Sequence, residues 1–395
     1  MSKKILTHQK AQIRLEPDGF SIHTFELSMQ LGKAEWDNCK EQLYADQKIS
    51  NETCIYADKS CKGVYICMKY ADIGIRICLE HTSDKKESKH YYVRMVVNPR
   101  TLIYPQSGYL GILPPDETSI ELLEKAFYSA LRKSPFEREI DRYYLTRVDL
   151  CTNIRCDNKK VFRELVRLLR KTATPKKYER RFYQHKDKKK ANQYNKHYIR
   201  IACDSQELVI YDKTYQMNEN DLVVDYENLP SGVLRIEVHY GRDKLRRLEK
   251  SSGTDDPLDL LWQLMQESEQ RICKLVGKCY PDQPYLSYED GLAAIDSHDK
   301  FPQPVKDTMS TLLTKMRRTQ NIDNAFQAME QQGIKTDGLL NKFRKLGINP
   351  IPLLERYSTK HMPSLLENRM PSLTEILHSV SNQPVNVALY HWKWK

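Results

Sequence analysis

The sequence has no charge-free stretch of about 18 apolar residues, so it offers no candidate for a membrane-crossing helix. Its opening, Met1 to His8, carries charge without an apolar core region, so a secretory signal is not expected. No two cysteines stand two residues apart, the spacing that zinc ribbons and redox sites use. Internal repeats and Gly/Ser or Gln/Asn tracts are missing as well. These absences fit a cytoplasmic chain whose ten cysteines are reduced and mostly buried. What is there is 395 residues, 40% hydrophobic and 29% charged, enough for two or three domains with packed cores. The net charge of +11 makes a polyanionic partner plausible.

The hydrophobic pattern predicts an α+β fold: an antiparallel-rich central sheet with helices on one face, followed by a mostly α-helical C-terminal region. Residues 53–105 read as β-structure. Ile73, Ile75, Ile77 and Leu79 alternate with Gly74, Arg76, Cys78 and Glu80, and a second strand spans 92–97. A helix is expected over 115–133 and a strand over 144–150. Another helix is expected from Asp157, as N-cap, to about Lys171. Strands follow over 198–201, 207–211 and 234–239. Asp256-Pro257 then starts a helix over 258–276 ending at Gly277. Further helices are expected over 304–320, 322–332 and 337–346, making residues 256–380 mostly helical. The expected organisation is an N-terminal segment 1–50, a catalytic region 51–250 and a helical domain 256–395. The linker falls near Ser251-Ser252-Gly253-Thr254.

The positive charge is concentrated. Residues 159–200 hold sixteen lysines and arginines against Glu164, Glu179 and Asp187, a net +13 that exceeds the +11 of the whole chain. Tyr178, Phe182, Tyr183, Tyr194 and Tyr198 lie among these cations. A solvated helix face followed by a Lys-rich loop would have the same charge. The interleaved rings favour nucleic acid, because cations neutralise phosphates and rings stack on unpaired bases. Lys176, Lys177, Arg180, Arg181, Lys188, Lys189, Lys190, Lys196 and Arg200 are the candidate DNA contacts.

Three strands carry chemistry on their polar side. Val148 and Leu150 share a face, leaving Arg147 and Asp149 on the other. Leu234, Ile236 and Val238 share a face, opposite Arg235, Glu237 and His239. Leu208 and Ile210 point one way, Tyr211 and Lys213 the other, although Val209 joins the polar side and Asp212 the apolar one. Were these strands neighbours, Asp149 and Glu237 would suit a divalent cation, Mg or Mn, with His239 as a further ligand or a general base. Tyr211 would be a nucleophile toward phosphorus and Lys213 would steady the developing charge. Arg147 and Arg235 would clamp phosphate or orient the acids. A solvent-facing sheet with two ion pairs, Arg147–Asp149 and Arg235–Glu237, would leave the same pattern.

The strings Arg147-Val148-Asp149-Leu150, Ile210-Tyr211-Asp212-Lys213 and Leu234-Arg235-Ile236-Glu237-Val238 resemble, in order and spacing, the signatures of trans-acting Rep rolling-circle replication initiators. Relaxases of integrative conjugative elements look similar. Arg94-Met95-Val96-Val97-Asn98-Pro99-Arg100 resembles the plasmid and phage replication proteins of the same broad group. The likeness covers roughly residues 60–250. It implies an origin-binding endonuclease that nicks one strand through a tyrosine, here Tyr211, holds the 5′ phosphate covalently and later rejoins the strand. Asp149 and Glu237 match the metal positions. The implied setting is the cytoplasm of a bacterial host. The implied partners are origin DNA, single-stranded or as a hairpin, a host helicase and a second copy of the chain. The His-X-His triplet of many other nickases is missing. Tyr240 and Tyr215 stay open as rival nucleophiles. A conjugative relaxase with the same chemistry and a non-catalytic origin-binding protein stay open as functions. The pair 324–332 and 337–346 reads as a helix-turn-helix or as part of a supporting bundle.

Overall fold

A computed structural model describes residues 16–17, 19–45, 49–50, 61–67, 70–83, 89–105, 110–156, 158–219, 232–280, 283–354, 361–362 and 365. Apart from Tyr285–Leu286 and His361–Met362, which pair separately, its strands, in chain order, are β1 (Glu16–Pro17), β2 (Ser21–Leu31), β3 (Ile49–Ser50), β4 (Cys61–Cys67), β5 (Ile75–Ser83), β6 (Lys89–Val97), β7 (Tyr144–Cys156), β8 (Glu179–Arg181), β9 (Tyr198–Cys203), β10 (Gln206–Asp212) and β11 (Gly232–Gly241). They form one antiparallel sheet in the order β3-β4-β5-β6-β2-β7-β11-β10-β9-β8, with β1 also on β7. The helices are α1 (Lys33–Ala45), α2 (Pro99–Ile103), α3 (Glu117–Leu131), α4 (Lys159–Arg170), α5 (Lys188–Tyr194), α6 (Lys213–Glu219), α7 (Arg242–Ser252), α8 (Pro257–Gln266), α9 (Ser268–Cys279), α10 (Tyr288–Asp296), α11 (Gln303–Arg318), α12 (Ile322–Glu330) and α13 (Leu339–Leu346). The α+β class is therefore as expected.

Period-two alternation decides which side of each strand is buried among helices. Phe25, Val148, Leu150, Ile154, Leu234, Ile236, Val238, Leu208 and Ile210 all lie in the apolar core. The register confirms a common side: Val238 faces Leu150 on one neighbour and Leu208 on the other. Thr152 also points inward, and its hydroxyl donates to Gly19 O at 2.6 Å, which satisfies the buried group. Burying each large aliphatic side chain contributes about 1.5–3 kcal/mol, so the sheet's orientation is strongly fixed.

Helix termini follow their local chemistry, with corrections to the expected boundaries. The expected cap Asp157 lies outside the described residues; Asn158 caps α4, accepting from Lys160 N at 3.0 Å and Val161 N at 3.2 Å. Asp256 caps α8 with Pro257 behind it, as expected. The single helix expected over 258–276 is two, α8 and α9, broken at Glu267, and Gly277 lies inside α9. Apolar spacing runs through the break, so periodicity alone misses it. The expected linker is the tight end of α7, where Gly253 takes the left-handed conformation at φ 75°. Past it, α8 and α9 lie against β2, β7 and β11 and share the sheet's core. A methyl group at Gly232 would run into the Phe162 ring, so only glycine lets β11 start this close to α4.

Residues 21–31, set apart from the catalytic region by the sequence pattern, form a strand in the middle of its sheet. The helices expected in the C-terminal region are present as α11, α12 and α13. The part of that region beyond residue 365, and residues 53–60 of the expected β-rich stretch, lie outside the described residues. No helix among the described residues is long and apolar enough to cross a membrane.

Candidate functional site

The polar sides of β7, β10 and β11 meet, because β11 lies between the other two. Cross-strand register sets His239 opposite Asp149 and Glu207, Glu237 opposite Cys151 and Val209, and Arg235 opposite Asn153 and Tyr211. The residues singled out on separate strands thus form one cluster.

Tyr211 Oη donates to Glu237 Oε1 at 2.7 Å, and the second oxygen of Glu237 lies 2.9 Å from His239 Nε2. One carboxylate thus joins a phenol to an imidazole. His239 Nε2 also lies 3.8 Å from Asp149 Oδ1, and its Nδ1 lies 3.6 Å from Glu207 Oε2. Arg147 Nε donates to Asp149 Oδ1 at 2.7 Å, so that same-face ion pair forms. Arg235 is buried and donates to Asn153 Oδ1 at 2.8 Å and to Leu110 O at 3.2 Å.

Lys213 is the first residue of α6, immediately after β10. Asp212 makes the turn by accepting Tyr215 N at 2.9 Å, and its other oxygen lies 3.1 Å from His197. That role explains why an acid sits on the strand's apolar side. The Lys213 ammonium lies 5.9 Å from the centre of the Tyr211 ring and donates to Gln216 Oε1 at 2.8 Å.

The face is less open than alternation implies. Tyr211 is only 7% exposed and Lys213 is buried too. Beside Lys213 a cavity of about 130 Å³ is lined by His23, Asn98, Arg100, Gly111, Cys151 and Lys213 among others, so residues 98–101 and 111–113 come over this end of the sheet. At the other end a groove of about 360 Å³ runs past Arg147, Arg181, Tyr198, Arg200, Glu207 and His239. Periodicity within a strand carries no information about a covering segment from elsewhere in the chain.

Burial and charge tune these groups in different directions. Burial, reinforced by the Glu237 charge, pushes the Tyr211 phenol well above its ordinary value, so it stays protonated and needs a proton acceptor. Burial also opposes ionisation of Glu237, yet His239 and Arg235 hold it well below the usual carboxylate range. Burial would lower His239, but Asp149, Glu207 and Glu237 outweigh it and raise it to about 9. At neutral pH His239 is therefore an imidazolium. Its 3.3 Å approach to Arg147 Nη2 is a hydrogen bond only when Nδ1 is unprotonated. Burial raises Asp149 to about 6 despite His239 and Arg147. Lys213 falls to about 8 through burial and the nearby Arg235.

Three contributors were not legible as site residues: His23, Glu26 and Glu207. His23 Nδ1 lies 3.8 Å from Glu237 Oε1, and burial lowers it to about 3, so it is neutral. Glu26 Oε1 accepts from Arg147 Nη1 at 3.3 Å. Both sit on β2, whose register shifts between Ile22 and Thr24 and again between Glu26 and Leu27. These bulges break the alternation that would have flagged the strand. Glu207 was hidden by lying in a short strand, without a carboxylate partner in sequence.

The rival tyrosines separate from Tyr211. Tyr240 is buried on the core side of β11, with the Arg271 guanidinium 5.8 Å and the Lys244 ammonium 5.5 Å from its ring centre. Tyr215 lies on α6, its ring stacked on His197 at 3.9 Å.

Asp149 and Glu237 supply two carboxylates, the oxygen donors expected for Mg or Mn, while His239, the third expected ligand, has no free lone pair as an imidazolium. In this arrangement Arg147 and Tyr211 engage those oxygens, and among the described residues no group of three or more His, Cys, Asp or Glu side chains forms a ligand cluster.

The basic segment divides in two. Arg180 donates to Arg170 O at 2.9 Å and to Thr172 O, closing the end of α4. Arg200 is bound to Glu207 at 2.7 Å and 2.9 Å. These two candidate DNA contacts are engaged inside the protein, because a charge count does not reveal which acceptor faces each cation. Arg181, which bonds Glu179 and Glu207, is exposed, as are Lys176, Lys177, Lys188, Lys189, Lys190 and Lys196.

No protein-family model matches the chain. No curated protein sequence matches it either. Among solved structures the chain is similar to one described as a rolling circle replication initiator protein from Geobacillus stearothermophilus. The likeness covers 66% of this chain and 85% of that one, at 10% identity and a TM-score of 0.31.

Proposed function

We propose that this chain initiates rolling-circle DNA replication by nicking and rejoining one DNA strand through Tyr211. The observation that carries the reading is the Tyr211–Glu237–His239 chain of contacts, 2.7 Å and 2.9 Å long, on the face where the three family-like strings converge. Tyr211 Oη attacks the scissile phosphorus while its proton passes to Glu237 Oε1. The bond from phosphorus to the 3′ oxygen breaks. That oxygen takes a proton from the His239 imidazolium and leaves as a 3′ hydroxyl. The 5′ phosphate stays on Tyr211, and the reverse sequence rejoins the strand. Arg147 and the Lys213 ammonium offset the charge that builds on the phosphate.

A divalent cation, Mg or Mn, held by Asp149 and Glu237 with His239 beside them would polarise the phosphate. The exposed lysines hold the DNA backbone. A host helicase and a second copy of the chain are the partners that go with this reading. A conjugative relaxase would use the same steps. A non-catalytic origin-binding protein would use none of them.

The test is incubation with a pool of random single-stranded DNA and Mn²⁺, followed by a denaturing gel. A protein–DNA adduct mapped by mass spectrometry to Tyr211 is the expected result. An adduct on another residue removes Tyr211 as nucleophile, and failure to form any adduct favours the non-catalytic reading.

A further inference from the structure

Among the described residues four large apolar side chains are exposed, and two of them, Phe182 at 68% and Tyr183 at 36%, are neighbours within the basic segment. Tyr183 is held in place from both sides of its peptide. Its N–H donates to Asn195 Oδ1 at 2.8 Å, and Asn195 Nδ2 donates to its carbonyl at 3.0 Å. Its ring meets Tyr194 at 4.3 Å, Tyr194 meets Tyr198 at 5.3 Å, and Tyr198 meets Tyr211 at 6.4 Å. A continuous line of rings therefore runs from the lysine-rich surface to the candidate nucleophile. Tyr198 also lines the groove shared with Arg147, Arg181 and His239.

We propose that Phe182 and Tyr183, at the exposed end of this ladder, form a stacking track that holds the unpaired bases of single-stranded DNA and leads the strand toward Tyr211. The destination rests on the nicking reading; the track itself does not. Ring faces attract base faces, and a duplex keeps those faces covered by neighbouring bases. An exposed pair of rings among cations thus suits a single strand better than a duplex. Ring packing within a small hairpin accounts for Tyr194 and Tyr198 but leaves Phe182 and Tyr183 at the surface. The cations Lys188, Lys189, Lys190 and Lys196, in and just after α5, lie between Tyr183 and Tyr198 in sequence and are exposed. Phosphates and bases of one strand would thus be engaged together.

The experiment measures binding of the full chain to a fluorescent oligothymidine and to an abasic strand of equal length and charge. The expected result is about tenfold or greater preference for the base-bearing strand. The double variant Phe182→Ala/Tyr183→Ala should lose most of that preference with an unchanged salt slope, since it removes no charge. Equal binding of both strands by the wild type overturns the track, as does a preference that survives the double variant. Tighter binding of RNA than of DNA of the same sequence overturns the assignment to DNA. The adduct assay is run in parallel. An intact base preference without adduct sinks the nicking reading and leaves the track standing.

Discussion

Tyr211 and Arg235 face each other directly across the β10–β11 pair. The guanidinium is fully buried beside the phenol, anchored through Asn153 and Leu110 O. A planar fork with fixed donors suits that double anchorage, and a lysine ammonium does not reproduce it. Arg235→Lys is expected to lower stability by about 2 kcal/mol and to weaken adduct formation through misplacement of Tyr211. Urea denaturation of the variant checks the first. An unchanged midpoint would show that the anchorage is dispensable.

Tyr211→Phe removes one hydroxyl and leaves the ring in place. We expect the adduct to vanish and stability to fall by about 1 kcal/mol, because the Glu237 oxygen loses a donor. Tyr240→Phe should keep the adduct, since that ring lies on the core side. Adduct yields of the two variants on one gel settle the comparison. Retention of adduct by the Tyr211 variant would rule out this nucleophile.

Lys213 has its protonation midpoint at about 8 because burial disfavours its charge. As an electrostatic stabiliser it acts only when protonated, so nicking should decline as pH rises through about 8. Lys213→Arg stays charged and should carry activity past that point. Lys213→Met should be slower by about a hundredfold below pH 8, with the gap closing as the wild-type lysine loses its proton. Rate profiles from pH 6 to 10 test this, and identical alkaline limbs for wild type and Lys213→Arg would refute it.

His239 has a folded value of about 9, above the roughly 6.5 of an unperturbed histidine. A raised value means the folded state binds the proton more tightly. Its stabilisation is full below about pH 6.5 and is lost as pH rises through 9. Asp149, at about 6, and Lys213, at about 8, titrate at the two edges of this window, and both stay in place in His239→Gln, so the difference between the two proteins isolates His239. Between pH 6.5 and 8 the wild type should therefore lose about 2 kcal/mol that His239→Gln does not. Denaturation midpoints at four pH values measure the difference. Parallel curves would mean that His239 is not charged in the fold.

Replacing Lys188, Lys189 and Lys190 by alanine should weaken single-strand binding and lower the salt slope by about two. Replacing Arg180 should instead destabilise the end of α4, since its donors go to Arg170 and Thr172 carbonyls. Titrations at several salt concentrations and thermal melts separate the two behaviours.

The pairing of polar sides on β7, β10 and β11 was legible because β7 and β11 alternate strictly through their centres, while β10 does so apart from Val209 and Asp212. Val148 and Leu150 against Arg147 and Asp149 leave only one orientation that buries apolar area. Illegible parts have particular causes. The bulges in β2 hide His23 and Glu26, which reach the cluster from a strand over a hundred residues away in the chain. The residues that enclose the cavity beside Lys213 come from 98–101 and 111–113, about which β10 carries no information. The break at Glu267 has no proline or glycine to mark it. Arg180 and Arg200 counted as free charge until their acceptors were placed.

The central position of β2 also constrains how the molecule is made. Ser21–Leu31 is made well before its inner neighbour β7, which begins at Tyr144, and before the next strand, β11, at Gly232. A nascent chain stalled before that point holds an incomplete sheet with an unpaired edge, a surface prone to association. Premature termination upstream of β11 should therefore yield aggregates rather than a smaller working protein, whereas interruptions after α9 spare the whole sheet.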